Sequence, residues 1–329
     1  MRFRKTISAV LCAAMAITSF TGCGSASGGK SSRLSIVCTT FPEYDWIRHI
    51  LGDHLADTDL TCLAANGTDM HSFQPTAEDM IKISACDLFV YVGGESDKWV
   101  EDALADAKNE DMKVVSLLDE LGSAAKVEEV KEGMEAEAEE EDEDEDEDED
   151  EGPEYDEHVW LSLKNAAALC YELEVAVSAV DPSHAGDYME TGGEYIEELN
   201  KLNDKYKEFF KEIPKEKRVM IFGDRFPFRY FTDDYKIDYY AAFVGCSAET
   251  EASFSTIAFL SEKADELGVD DIFILEGSDG AIANAVISNT KKKDMQIVKL
   301  DSMQSVTDLS NTYLNIMEQN YETIREAMS

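Results

Sequence analysis

Apolar and polar positions alternate along the chain in a repeating pattern of strands and helices. In the first half, strand-like apolar runs cover residues 34–38, 60–63, 87–92 and 113–117, and helices are predicted from Pro42, over 76–84 and from Asp97. In the second half, strands are predicted over 218–222, 237–243, 271–275 and 296–300, and helices over 254–267, from Ala281 and from Leu309. This β-α-β order predicts mainly parallel sheets with helices on their faces.

A long charged helix is predicted between the two halves. Asp181-Pro182 ends one helical segment, and the next is predicted to run from about residue 183 until Pro214 stops it. Its apolar positions recur at three- and four-residue intervals, at Tyr195, Leu199, Leu202 and Tyr206. That spacing gives the helix one apolar face along its length.

We therefore predict an α/β protein of two lobes, residues 34–182 and 214–329, joined by a long rigid helix over 183–213. Each lobe is predicted to be a mainly parallel sheet covered by helices. The chain has 329 residues, of which 44% are hydrophobic, enough for each lobe to bury a core. In open α/β sheets ligands bind beyond the carboxyl ends of the strands, so the functional site is expected in the cleft between the lobes.

Acidic residues are concentrated in one insert of the first lobe. The stretch 128–157 holds 21 Asp or Glu and one Lys, which is about half of the formal net charge of −41, and residues 139–151 are all acidic. Such a run repels itself and buries no apolar surface, so a disordered insert is predicted over about 124–156. The insert either gathers cations near the cleft or only keeps the protein soluble. The acidity of the whole chain disfavours nucleic-acid binding and favours a cationic partner.

The first residues resemble an export signal. Three basic residues among the first five precede an apolar stretch, residues 7–17, that is too short to span a bilayer. Cys23 ends a segment that resembles a bacterial lipobox. We therefore expect residues 1–22 to be removed, Cys23 to be lipidated, and residues 23–33 to form a flexible tether. The alternative is an ordinary secretory signal with a chance cysteine.

Two of the five histidines, His71 and His158, lie in loops at the boundaries of predicted elements. Neutral imidazole is the commonest metal ligand, and a divalent ion needs several such donors fixed in space. A loop histidine can equally be a surface or capping residue, so spacing alone leaves both interpretations open. The other three, His49, His54 and His184, are predicted to be structural or exposed.

The residues around these two histidines resemble a known family. NGTDMHSFQPTAEDM, residues 66–80, and EHVWLSLKNA, residues 157–166, are similar to the two histidine segments of the solute-binding proteins that deliver zinc or manganese to ABC transporters. This is the cluster A-I group, also called the zinc-uptake and metal-adhesin family. The segments TTFPEYDW, DLFVYVGG and LDSMQSVT extend the resemblance over nearly the whole mature chain. In that family the first lobe supplies two histidines, which implies His71 and His158, and the second lobe supplies two further His, Glu or Asp ligands.

The second-lobe ligands are where the chain departs from the family's pattern. The third ligand normally opens a His-Asp-Ala-Phe or Glu-Gly-Ala-Phe segment after the first strand of that lobe, and in a gapless alignment its slot falls on Gly223. Asp224 supplies an oxygen if the loop is shifted, and otherwise pairs with Arg225 or caps a turn. The fourth ligand follows the strand 271–275, where Glu276 stands at the strand end. Asp224 and Glu276 are therefore the predicted second-lobe ligands.

Four other residues of the second lobe are further candidates, namely Asp279, Cys246, Glu249 and Glu251. Asp279 can instead cap the following helix, as short carboxylates do. Cys246 would be a soft ligand that favours zinc. It is one of five cysteines after Cys23, none with CxxC spacing, and most of these are expected to be buried as small apolar groups.

The resemblance implies the extracytoplasmic solute-binding component of a metal-uptake ABC transporter. It would capture a divalent metal, zinc first and manganese second, and deliver this transported ligand to the membrane permease. Two histidines and two carboxylates suit Zn²⁺ or Mn²⁺ and suit copper(I) poorly. We expect a monomer without enzymatic activity, lipid-anchored at the outer face of the bacterial cell membrane. The alternatives are a metal-dependent hydrolase, although the chain has no HExxH motif, and a surface adhesin lipoprotein with a secondary metal site.

Overall fold

The structure is a computed structural model that describes residues 33–65, 67–135, 154–247 and 251–329. Several predicted features lie outside the described residues, namely the export signal over 1–22, Cys23 and the tether up to Ser32, the acidic run 139–151, and Glu249. Within the described part of the chain, no helix is both long and apolar enough to span a membrane.

The first lobe is built on four parallel strands, β1 (Leu34–Cys38), β2 (Thr58–Cys62), β3 (Leu88–Tyr91) and β4 (Lys113–Ser116). Their order in the sheet is β2-β1-β3-β4. Around the sheet lie α1 (Phe41–Leu51), α2 (Ala77–Ala85), α3 (Val100–Ala105), α4 (Leu117–Leu121) and α5 (Leu163–Val180). The start of α2 shows why the sequence predicts it, because Thr76 and Asp79 cap each other's backbone N–H groups.

A 28-residue helix, α6 (Ala185–Glu212), leads from the first lobe to the second. At 1.5 Å per residue its length is about 42 Å. Its buried face carries large side chains at helical spacing, among them Tyr188, Tyr195, Leu199, Tyr206 and Phe210. Near its start, the Thr191 hydroxyl donates a hydrogen bond to the Ile50 carbonyl at the end of α1, at 2.5 Å. The helix is therefore packed onto the first lobe before it reaches the second.

The second lobe repeats the architecture of the first. Its strands are β5 (Val219–Phe226), β6 (Asp238–Val244), β7 (Asp271–Leu275) and β8 (Gln296–Leu300). They are parallel and lie in the order β6-β5-β7-β8. Its helices are α7 (Arg229–Tyr235), α8 (Phe254–Leu267), α9 (Ala281–Asn289) and α10 (Tyr313–Ala327). The predicted fold, two helix-covered parallel sheets joined by a long helix, is confirmed.

The apolar cores of the two lobes are continuous. One cluster of buried side chains runs from Ile36 in the first sheet, through Tyr206 of α6, to Phe222 in the second sheet. The last helix, α10, returns to the first lobe, where the ring of Tyr313 meets the edge of Trp46 with 5.3 Å between the ring centres. The lobes are therefore held together by shared core packing as well as by α6.

The structure differs from the sequence prediction in the second lobe. Helix α7 is absent from the prediction because four of its seven residues are buried, so it lacks the one-sided apolar pattern that identifies a surface helix. Strand β5 continues to Phe226, four residues past its predicted end at Phe222, after an irregularity in its pairing with β6. The last helix begins at Tyr313 and not at Leu309, because Thr312 caps it by accepting the N–H of Asn315.

The bounds predicted for the disordered acidic insert, about 124–156, are too wide. At its ends, Val127 bridges Tyr155 and Glu135 bridges Phe243 of β6. The Glu135 N–H donates to the Ala242 carbonyl at 2.9 Å, which adds a short parallel segment beside β6. Backbone pairing thus orders the two ends of the insert against the second lobe despite their acidic composition.

Candidate metal centre

His71 and His158 meet at the boundary between the lobes. Their Nε2 atoms lie 3.1 Å apart, and the side chain of His71 is only 5% exposed and that of His158 fully buried. His71 lies in a single 3₁₀ turn (Met70–Ser72), and its own backbone N–H donates a hydrogen bond to the Asp69 carboxylate. His158 directly precedes a second 3₁₀ turn that leads into α5. The backbone of each histidine is therefore fixed by a 3₁₀ turn.

The outer ring nitrogens of both histidines are held by neighbouring side chains. Nδ1 of His71 lies 2.8 Å from the Ser96 hydroxyl and 3.5 Å from the Glu157 carboxylate. Nδ1 of His158 lies 3.0 Å from the Asp156 carboxylate, which accepts its hydrogen bond. The Asp156 carboxylate places the proton of His158 on Nδ1 and leaves its Nε2 lone pair free, which is the arrangement found around metal-binding histidines.

Burial keeps the His71 ring neutral. Desolvation, followed by the proximity of His158 and Arg225, holds the pKa of His71 well below its usual value. A neutral imidazole is the form that binds a metal ion. Burial also raises the pKa of Glu157 to about 8. This carboxyl is seated under Gly94, where a Cβ would lie 2.6 Å from its Oε1 atom, so a larger residue at position 94 would displace it.

Gln304 of the second lobe closes the site from the other side. Its side-chain nitrogen lies 2.8 Å from Nε2 of His71 and 2.7 Å from Nε2 of His158. An amide NH₂ group has two donors, so one group satisfies both imidazole lone pairs. The two rings and the amide thus converge on one point. Gln304 belongs to the LDSMQSVT segment, but its side chain is absent from the predicted ligand set.

Glu276 holds the loop that presents Gln304. Its carboxylate accepts the backbone N–H of Ser302 at 2.6 Å, the Ser302 hydroxyl at 2.7 Å, and the N–H of Gln304 at 3.3 Å. Between them, Met303 has a φ of 62°, a backbone conformation that non-glycine residues rarely adopt. The Glu276 carboxylate is therefore engaged in supporting a strained loop, and burial raises its pKa.

Cys246 lies beside the two histidines, at the end of β6. The ligand atoms of His71, His158 and Cys246 lie within 4.8 Å of one another, and this is the one such group of three or more His, Cys, Asp or Glu residues among the described residues. Gly245 brings the loop close, since a Cβ there would lie 3.0 Å from Cε1 of His158. Burial and the nearby carboxylates, Glu157 first, raise the pKa of the Cys246 thiol.

Asp224, the other predicted ligand, belongs to the sheet. One of its oxygens accepts the Arg225 N–H at 2.9 Å and the other accepts the Leu275 N–H of β7 at 3.2 Å. Arg225 itself forms an ion pair with Asp69, the residue that caps the His71 turn. Asp224 and Glu276 line, together with His71, a cavity of about 690 Å³. The structure does not bring either carboxylate into the group formed by the two histidines and Cys246.

The remaining candidates are scattered around the same cavity. Asp279 and Glu251 line it, and the Asp279 carboxylate accepts the N–H of Ala281 at the start of α9. The other histidines serve elsewhere, since His49 stacks on Tyr195 at 4.3 Å. His54 and His184 contact each other at the surface, and each is paired with an aspartate.

Gly223, at the position of the expected third ligand, has no room for a side chain. A Cβ there would lie 2.6 Å from the Cα and 2.8 Å from the nitrogen of Ala283, both backbone atoms of α9. Close packing of α9 against β5 therefore explains why this chain has glycine where the family pattern has a ligand.

We predict that Gly223→Ala lowers the free energy of unfolding by about 1–3 kcal/mol, because α9 must shift away from β5. Gly193→Ala is the matched control, since Gly193 lies in the middle of α6 and a Cβ there meets no atom within 4 Å. That variant should be stabilised by about 0.5–1 kcal/mol through helix propensity. Chemical denaturation measures both, and equal effects of the two substitutions would contradict the packing explanation.

The architecture matches those of solved metal-binding proteins. The zinc-binding protein TroA of Treponema pallidum superposes with a TM-score of 0.72 at 20% identity, covering 90% of this chain and 99% of that one. The zinc-bound ZnuA-like domain of Streptococcus pneumoniae AdcA superposes with a TM-score of 0.67 at 23% identity, covering 90% and 99%. The fold is thus that of two-lobed proteins of the TroA and ZnuA type.

The sequence places the chain within one family. Residues 36–327 match the family model described as ZnuA, zinc-uptake complex component A, periplasmic, and the chain belongs to this family. It is 25% identical over 315 residues to the manganese ABC transporter substrate-binding lipoprotein PsaA of Streptococcus mitis, covering 93% of each chain. It is 27% identical over 299 residues to the zinc-binding lipoprotein AdcA of Streptococcus pneumoniae, covering 89% of this chain. The chain spans only 56% of the length of that relative and of the other AdcA proteins it matches.

Proposed function

We propose that this protein is the extracytoplasmic solute-binding component of an ABC transporter that imports a divalent transition metal, zinc first and manganese second. His71 and His158 would hold the ion from the first lobe. The observation that carries the proposal is the convergence of two buried imidazoles, with both Nδ1 atoms engaged and both Nε2 atoms directed to one point. The ion is the transported ligand, passed on to a membrane permease.

The separation of the two nitrogens supports a shared ion. Two nitrogens each about 2.0–2.1 Å from zinc at the tetrahedral angle lie about 3.3–3.4 Å apart. The Nε2 atoms of His71 and His158 are 3.1 Å apart. The observed separation is therefore within a few tenths of an ångström of the value that a shared zinc ion requires. The Gln304 amide would move aside or turn its oxygen toward the ion.

The cellular setting follows the relatives and the lipobox-like segment. PsaA of Streptococcus mitis is described as a substrate-binding lipoprotein of an ABC transporter. We infer that this chain is likewise anchored outside the cell membrane, through Cys23, and acts as a monomeric binding protein and not as an enzyme. The hydrolase alternative needs an open metal position for water, and the chain has no HExxH motif to supply a general base beside the metal ligands.

We predict that the metal-free protein binds one zinc ion per chain with high affinity. Zinc should be titrated into the full chain in the presence of a competing chelator, which removes ions held weakly by the acidic insert, and the bound metal then counted by elemental analysis. One ion per chain is the expected result. Binding of no ion under these conditions, or of several equivalent ions, would refute the proposed function.

A further inference from the structure

We propose that Cys246 is the third ligand of this site, and that its thiolate makes the site select zinc over manganese. The inference rests on the proposed function, since it requires that His71 and His158 bind a metal ion. It names the ligand by which the second lobe discriminates between the two metals. That ligand is a sulfur atom, where the pattern of the sequence predicts two carboxylates.

The geometry of the three residues suits zinc coordination. Their ligand atoms lie within 4.8 Å of one another. A sulfur about 2.3 Å and a nitrogen about 2.0–2.1 Å from a tetrahedral zinc ion are about 3.5 Å apart. The thiol therefore needs to approach the imidazoles by about 1.3 Å or less. As the zinc–sulfur bond forms, the S–H proton leaves to solvent.

The backbone around Cys246 is held close to the histidines. Gly245 packs directly on the His158 ring, where a Cβ would lie 3.0–3.1 Å from its Cε1 and Nδ1 atoms. The Cys246 N–H donates a hydrogen bond to the Glu128 carboxylate at 3.2 Å, which ties the loop to the ordered end of the acidic insert. Cys246 also lines, with His71, a cavity of about 320 Å³.

The carboxylates that would favour manganese have other partners. The Asp224 oxygens accept two backbone N–H groups of the second sheet. The Glu276 oxygens accept hydrogen bonds from Ser302 and Gln304. Neither carboxylate belongs to the group of ligand atoms formed by His71, His158 and Cys246. Two imidazoles and a thiolate form a nitrogen and sulfur set, which suits zinc and is poor for manganese, a metal that prefers oxygen ligands.

Cobalt(II) in place of zinc tests the sulfur ligand directly, because a thiolate bound to cobalt gives a charge-transfer absorption band in the near ultraviolet. The wild-type chain loaded with one cobalt ion is expected to show the band, and Cys246→Ser to lose it. Cys62→Ser is the matched control, since Cys62 is a partly buried thiol at the end of β2 in the first lobe. It should keep the band.

Competition between zinc and manganese tests the selectivity. In Cys246→Asp an oxygen replaces the sulfur, and the ratio of zinc to manganese affinity should fall at least about tenfold, because the loss of a direct ligand exceeds the ~10–100-fold effect of losing an outer partner. An unchanged ratio would overturn the proposal. Protection of the Cys246 thiol from alkylation by added zinc, measured on the wild type, covers the case in which the variants fold poorly.

The outcomes separate this inference from the proposed function. A wild-type chain that binds one cobalt ion without a charge-transfer band, or a Cys246→Ser variant that keeps the band, overturns the role of Cys246 and leaves metal binding intact. A wild-type chain that binds no stoichiometric metal overturns both. Unchanged alkylation of Cys246 in the presence of bound zinc also contradicts sulfur ligation.

Discussion

Replacement of His158 by alanine is expected to lower zinc affinity by more than about 100-fold. The loss of a partner that only orients a metal-binding histidine costs about 10–100-fold, and His158 is proposed to contact the ion itself. Its ring is fully buried, and its Nε2 atom lies 3.1 Å from that of His71. His71→Ala is expected to have a comparable effect. Chelator-competition titration of the purified variants measures both affinities.

A matched control for these variants is His184→Ala, which removes a surface imidazole whose Nδ1 is paired with Asp181 at 2.6 Å. Its zinc affinity should equal that of the parent. Asp156→Ala should fall between the two, because Asp156 orients the His158 ring without contacting the ion. If His158→Ala binds zinc within about threefold of the parent, the assignment of the site is wrong.

The second large effect is expected for the core. Trp160→Ala should lower the free energy of unfolding by about 3–5 kcal/mol. The Trp160 side chain is fully buried, and its indole N–H donates to the Ser302 carbonyl of the other lobe at 2.8 Å. The substitution therefore removes a large apolar side chain and the partner of a buried carbonyl at once. Denaturation of the metal-free protein measures the change.

Two phenylalanine variants separate these contributions. Trp46 is equally buried, but its indole N–H has no partner among the described residues. Trp160→Phe should therefore be less stable than Trp46→Phe by about 1–3 kcal/mol, the cost of an unpaired buried acceptor. Equal losses in the two variants would show that the hydrogen bond to Ser302 does not contribute to stability.

Most of the fold could be predicted from the sequence because its elements are long and regular or sharply bounded. The α6 helix has apolar side chains at three- and four-residue intervals, and each buried strand is a short apolar run between turns. Helix α7 could not be predicted, because tertiary packing buries more than half of its residues. The acidic composition predicts disorder up to the ends of the insert, because composition does not reveal the backbone pairing of Glu135 with Phe243.

As with the fold, part of the site could be predicted from local sequence and part depends on tertiary contacts. His71 and His158 could be predicted because the segments around them, residues 66–80 and 157–166, resemble the two histidine segments of the family. Which side chains the second lobe contributes to the site depends on the hydrogen bonds that they already make. The Glu276 and Asp224 carboxylates both accept such hydrogen bonds. The space for a side chain at Gly223 is limited by Ala283, sixty residues further along the chain. A single sequence does not show that these two residues are in contact.

The continuous core has a consequence for how the molecule loses its structure. Tyr206 and Tyr313 pack within one apolar cluster that reaches both sheets. A lobe that unfolded alone would expose the apolar face of the other, so we expect the two lobes to unfold together. An ion bound at their boundary would then stabilise both lobes against unfolding. The gain is about 2.7 kcal/mol when the concentration of free metal is a hundred times the dissociation constant. Damage far from the histidines would then weaken metal retention once it is large enough to populate the unfolded chain.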